Sequence, residues 1–83
     1  MFEERVREGF DVFIRDGAHA FGAVRHVRPA ELVIYIENAG DFVVPFSSVH
    51  DVHSEKVILE YAKLDGALQQ AIDRAHRRED PKI

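Results

Sequence analysis

The sequence contains no cysteine and no tryptophan. Without thiols there is no disulfide framework, no thiolate nucleophile and no cysteine-ligated zinc. No stretch of the 83 residues reaches the roughly 18 consecutive apolar residues of a membrane-spanning helix. The start, Met1-Phe2-Glu3-Glu4-Arg5, lacks the apolar run of a secretory signal. The expectation is a cytoplasmic protein with no membrane insertion. Positive charge is also short: 11 Lys and Arg stand against 15 Asp and Glu, a net charge of -4. That is a poor endowment for neutralising phosphates, so nucleic acid is not a favoured partner. The length allows one modest core and excludes most multi-domain enzymes, while a hydrophobic share of 46% supports a folded chain.

What is present reads as a strand-rich body over about residues 9 to 61, a flexible lead-in over 1 to 8, and a helical tail over 62 to 83. Phe10, Val12 and Ile14 alternate with Asp11, Phe13 and Arg15 as in a half-buried strand. Asp16-Gly17 then supplies a tight turn. In the returning segment, Gly22 marks a bulge or a close backbone approach. The run Glu31-Leu-Val-Ile-Tyr-Ile-Glu37 is the clearest strand, apolar on both faces. Leu32, Ile34 and Ile36 share one face, and Val33 and Tyr35 the other. Asn38-Ala39-Gly40-Asp41 forms a turn in which Asn and Gly take unusual φ values, and Phe42 to Phe46 returns as a strand. Pro45 has no N–H, so that strand ends there or lies at an edge. Ser47-Ser48 opens a short turn through Val52, and Lys56 to Tyr61 is the last strand. From Leu64 the apolar period lengthens: Leu64, Leu68, Ala71, Ile72 and Ala75 form one stripe of an amphipathic helix. Asp65 is placed to cap its start, and Pro81 stops its continuation.

The ordered set Val12, Asp16-Gly17, Gly22-Ala23-Val24, Leu32 to Ile36, Val44-Pro45, Val49, Val52 and Val57-Ile58-Leu59 resembles the PRC-barrel family over about residues 9 to 60. The spacing from Asp16-Gly17 to Gly22 is one residue longer than is usual there, which implies a bulge or a longer hairpin. The resemblance implies a small, strongly bent antiparallel β-barrel of five to six strands. Similar domains occur in the ribosome maturation factor and the photosynthetic reaction centre H subunit, where they dock onto proteins rather than catalyse. It supplies no catalytic or cofactor-binding residues to carry over.

Other constellations are weaker. His50-Asp51-Val52-His53 offers two histidines beside a carboxylate, two of the three or four ligands zinc requires; a third would have to come from His19, His26 or Glu55. A ligand- or metal-binding role for a His50–His53 turn is thus the alternative, with solvated turn residues the simpler account. Glu3-Glu4 and Glu79-Asp80 lie near the chain ends, away from any cleft that could raise their pKa values. Ser47-Ser48 near His50 lacks an orienting third group. The basic cluster Arg74, Arg77 and Arg78 with Lys82 suits a helix C-terminus, and leaves an RNA- or ribosome-associated role as a third possibility.

The most informative feature is an apolar surplus. Val33, Tyr35, Val43, Phe13 and Ile58 lie opposite the expected core face. Either the stripe Leu64, Leu68 and Ile72 covers them, or a second copy or another protein does. The expectation is a non-catalytic docking or scaffold module without a cofactor, a homodimer or bound to an unidentified protein. Its interaction surface would draw on Val33, Tyr35, Val43, Ile58, Leu64, Leu68 and Ile72, with Asp16, Gly17, Gly22, Gly40 and Pro45 shaping the turns.

Overall fold

A computed structural model describes residues 5–15 and 19–79, with helix side chains as far as residue 75. The Asp16-Gly17 turn, Lys82 and the side chains of Arg77 and Arg78 lie outside the described residues. The elements are β1 (Asp11–Phe13), β2 (Gly22–Val27), β3 (Glu31–Ile36), β4 (Gly40–Pro45), β5 (Val49–His53), β6 (Lys56–Leu59) and α1 (Gly66–Glu79). The strands form one curled half-barrel in the order β4-β3-β2-β1-β6-β5.

The small, mainly β, barrel-like architecture with a C-terminal helix is as expected, with one correction. The sheet is mixed, because β1 and β6 run parallel through Asp11–Lys56, Val12–Val57 and Phe13–Ile58. The four other pairings are antiparallel. The parallel seam joins the β1–β4 meander to a hairpin that the sequence did not announce. Its turn, Ser54-Glu55, has φ of 52° and 63°, the two successive positive values of a tight hairpin turn, without the Asn or Gly that usually signals one. Residues 49–53 are accordingly strand β5 rather than part of a turn through Val52.

Gly22 behaves as its position suggested. A Cβ there would stand 2.5 Å from the Tyr35 carbonyl oxygen, so only glycine lets β2 approach β3 this closely. The bulge itself falls three residues on, at Arg25, where the register shifts between Val24 and His26. Asn38 and Gly40 take positive φ of 71° and 99° at the β3–β4 turn, as expected.

The core lies inside the curl. Val12, Val24, Leu32, Ile34, Ile36, Val44, Val52, Val57 and Leu59 meet Leu64, Leu68, Ala71 and Ile72 in one buried cluster. The helix stripe therefore packs on the inner face, which removes the first of the two alternatives, that it covers Val33, Tyr35 and Val43. Leu64, Leu68 and Ile72 are 8%, 3% and 0% exposed, which withdraws them from any surface. Asp65 caps α1 by accepting the Leu68 N–H at 2.9 Å. Val6 is buried in the same cluster, so the lead-in is anchored from there.

Candidate interaction surface

Strand alternation puts Glu31, Val33 and Tyr35 of β3, Asp41, Val43 and Pro45 of β4, Phe13 of β1 and Ile58 of β6 on the outer face. Their fates differ. Phe13, Val33 and Ile58 are 8%, 5% and 4% exposed, whereas Tyr35 and Val43 are 37% and 51% exposed and are the large hydrophobic residues left open among the described residues. Exposed apolar surface thus concentrates at the β4 side of the sheet. There the Arg25 bulge brings its guanidinium 4.7 Å from the centre of the Tyr35 ring and 2.9 Å from the Asp41 carboxylate. The cation neutralises Asp41 and stacks on the aromatic face, leaving a patch of little net charge.

Phe46 N–H donates to the Ala30 carbonyl at 3.1 Å, which sets the phase of the β3–β4 ladder. Leu32/Val44, Ile34/Phe42 and Ile36/Gly40 are then its hydrogen-bonded pairs, while Glu31/Pro45, Val33/Val43 and Tyr35/Asp41 are the close pairs whose amides point away from one another. Asp41 and Val43 accordingly direct their N–H and C=O groups out of the sheet. Nothing among the described residues hydrogen-bonds them. Pro45 belongs to the same set, so its missing N–H costs no ladder bond, as its edge position requires.

The other edge carries the histidines. His50 and His53 sit on strand β5, not in a turn, and the register shift between Val49 and Asp51 makes His50 the bulged residue. The bulge sets His50 on the same side as Asp51 and His53, where an unbroken strand would separate positions three apart. The three share an open cleft with Ile14, Arg15, Ile58, Glu60 and Tyr61. His53 Nδ1 lies 3.0 Å from Asp51 Oδ2, and His50 Nδ1 lies 3.5 Å from Glu60 Oε1. The hydrogen bond from His53, helped by the Val52 N–H, holds the Asp51 carboxyl below the ordinary carboxylate range. Desolvation, reinforced by the hydrogen bond from Tyr61 to Asp73, raises the Tyr61 hydroxyl. His26 pairs with Glu8 at 3.5 Å on β2, and His19 is exposed. No cluster of three or more His, Asp or Glu that could hold a metal occurs among the described residues. The buried Ser48 hydroxyl donates to the Lys63 carbonyl, tying together the turns at either end of the β5–β6 hairpin.

Of the proposed surface residues, the structure leaves Tyr35 and Val43 adjacent and open, buries Val33 and Ile58 on the outer face, and takes the three helix residues inside. Arg25 and Asp41 were missed. Their signal was Arg25's place beside the closely approaching β2–β3 backbone. Comparison with family models, curated proteins and solved structures finds no match.

Proposed function

We propose that this chain is a non-catalytic protein-docking module acting in the cytoplasm, akin in design to PRC-barrel domains. It engages its partner through the outer surface and free edge of β4. The observation that carries this is the conjunction of open apolar side chains, Tyr35 and Val43, with unpaired outward amides on the same edge strand. Such an edge accepts another strand through backbone hydrogen bonds while side-chain contacts choose which one. In the β5 cleft His50 and His53 each lie beside a carboxylate of a partly exposed strand edge, an arrangement of surface polar pairs.

Native mass spectrometry of untagged protein from its own cells tests the proposal. The expected spectrum shows mass beyond 9.5 kDa that disappears in Tyr35→Glu, whose charge would have to be desolvated on docking. A bare 9.5 kDa species in both proteins overturns it.

A further inference from the structure

The partner of the β4 edge can be narrowed by asking which strand its hydrogen-bonding groups fit. The free edge is short. The β3–β4 turn closes it on one side, with Ala39 N–H already committed to the Ile36 carbonyl at 2.9 Å. On the other side Pro45 has no N–H to give. Between them, Asp41 and Val43 present two donors and two acceptors. We propose that the occupant of this edge is the β4 strand of a second copy of the chain, paired antiparallel about a two-fold axis at Phe42. This rests on the docking reading above and names its partner.

In that register Asp41 lies opposite Val43 of the other copy, and each pair exchanges two backbone hydrogen bonds, four in all. Every outward donor and acceptor of Asp41 and Val43 is then used, and Pro45 is not asked for the N–H it lacks. The neighbouring self-pairing, Val43 opposite Val43, would set Asp41 against Pro45 and leave the Asp41 carbonyl of each copy without a donor. Charge decides whether two such edges can meet. Two Asp41 carboxylates approach across the axis, and each arrives with Arg25 at 2.9 Å, itself held against Tyr35. Each carboxylate is thus neutralised within its own copy, so the two edges can meet without an uncompensated like charge. Isologous contacts of this kind close as dimers and do not propagate, because pairing consumes the edge.

The test is the mass and amide exchange of the full chain at ~100 µM, where a homodimer of micromolar Kd is formed. Wild type is expected at twice 9.5 kDa. Val43→Pro removes one outward N–H and no ladder bond, and is expected to halve that mass; Val43→Thr keeps the amide and the dimer. Arg25→Glu strips Asp41 of its counter-ion and is also expected to lose the dimer. Should Val43→Pro fail to fold, hydrogen exchange on wild type decides. The Asp41 and Val43 amides are expected to exchange more slowly as concentration rises, with those of β5 unchanged. A wild type found only as a single copy bound to a foreign partner, and never at twice 9.5 kDa, overturns self-pairing and leaves docking standing. A 9.5 kDa wild type with nothing bound overturns both. A Val43→Pro protein that folds and remains dimeric overturns this register.

Discussion

Strands β4 and β5 end the sheet on opposite sides, and their edges are built to different rules. Along β5 the register breaks at His50, the outer side chains are His50, Asp51 and His53, and the Arg5 guanidinium donates to the Val52 carbonyl. A bulge, polar side chains and a covering side chain are all devices that keep a strand from recruiting another. Along β4, six residues pair one to one with β3, Val43 is half exposed, and only the terminal Pro45 interrupts the row of outward amides. One sheet therefore guards one edge and leaves the other open. Because both edges hang on the same core, the difference lies in a few local residues rather than in overall stability.

Removing that shared support should erase the difference altogether. Leu68→Glu would place an unpaired charge in the cluster beneath both edges, a cost of at least ~3 kcal/mol. Thermal unfolding followed by circular dichroism should show the chain largely unfolded. A cooperative transition near the wild-type temperature would mean that the helix does not fill the curl. A smaller and one-sided effect is expected from Gly22→Ala, whose methyl has no space against the Tyr35 carbonyl. Overpacking of this kind costs about 1–3 kcal/mol. Native-state hydrogen exchange should weaken on β2 and β3 before β6. Equal loss on all strands would show that the close approach is not a local constraint.

These contrasts were legible in the sequence only in part, and for physical reasons. Strand β3 is unmistakable because its β-formers are uninterrupted. The Asp65 cap, the helix stripe and Gly22 each carry a local signature that survives folding. The parallel pairing of β1 with β6 has none, since contacts between distant segments leave no periodicity. The β5–β6 hairpin was hidden because Ser54 and Glu55 adopt positive φ without the residues that favour it. Val6 was hidden in a run of charges. At the surface, alternation distinguished the faces of β3 and β4 and so found Tyr35 and Val43. It could not say which face the helix covers, because an apolar stripe fits an inner or an outer sheet face equally well. Pro45 was the only sequence sign that β4 is an edge.

The guarded edge can be strengthened without touching the open one. Replacing Ser54-Glu55 by Asn-Gly at the same positive φ values relieves backbone strain and should add about 1 kcal/mol. The gain should appear as higher melting temperature and slower exchange on β5 and β6, with self-association unchanged. A dimer altered by this turn would show that the two edges communicate.

The smallest effect concerns pH and should touch β5 alone. Asp51 is acidified by the hydrogen bond from His53, then by the Val52 N–H, with Arg5 adding a weaker attraction. Its folded carboxyl therefore releases its proton more readily than the unfolded one, whose ordinary value is 3.8. The stability it contributes is complete above that value and is lost as pH falls through the lower folded one. Exchange of the Val52 and His53 amides should accelerate, relative to the β3 amides, as pH drops below about 4. Asp51→Asn should remove that dependence while leaving Asp41 and Val43 as they were. Acid acceleration that persists in Asp51→Asn would show that the Asp51 carboxyl is not its cause.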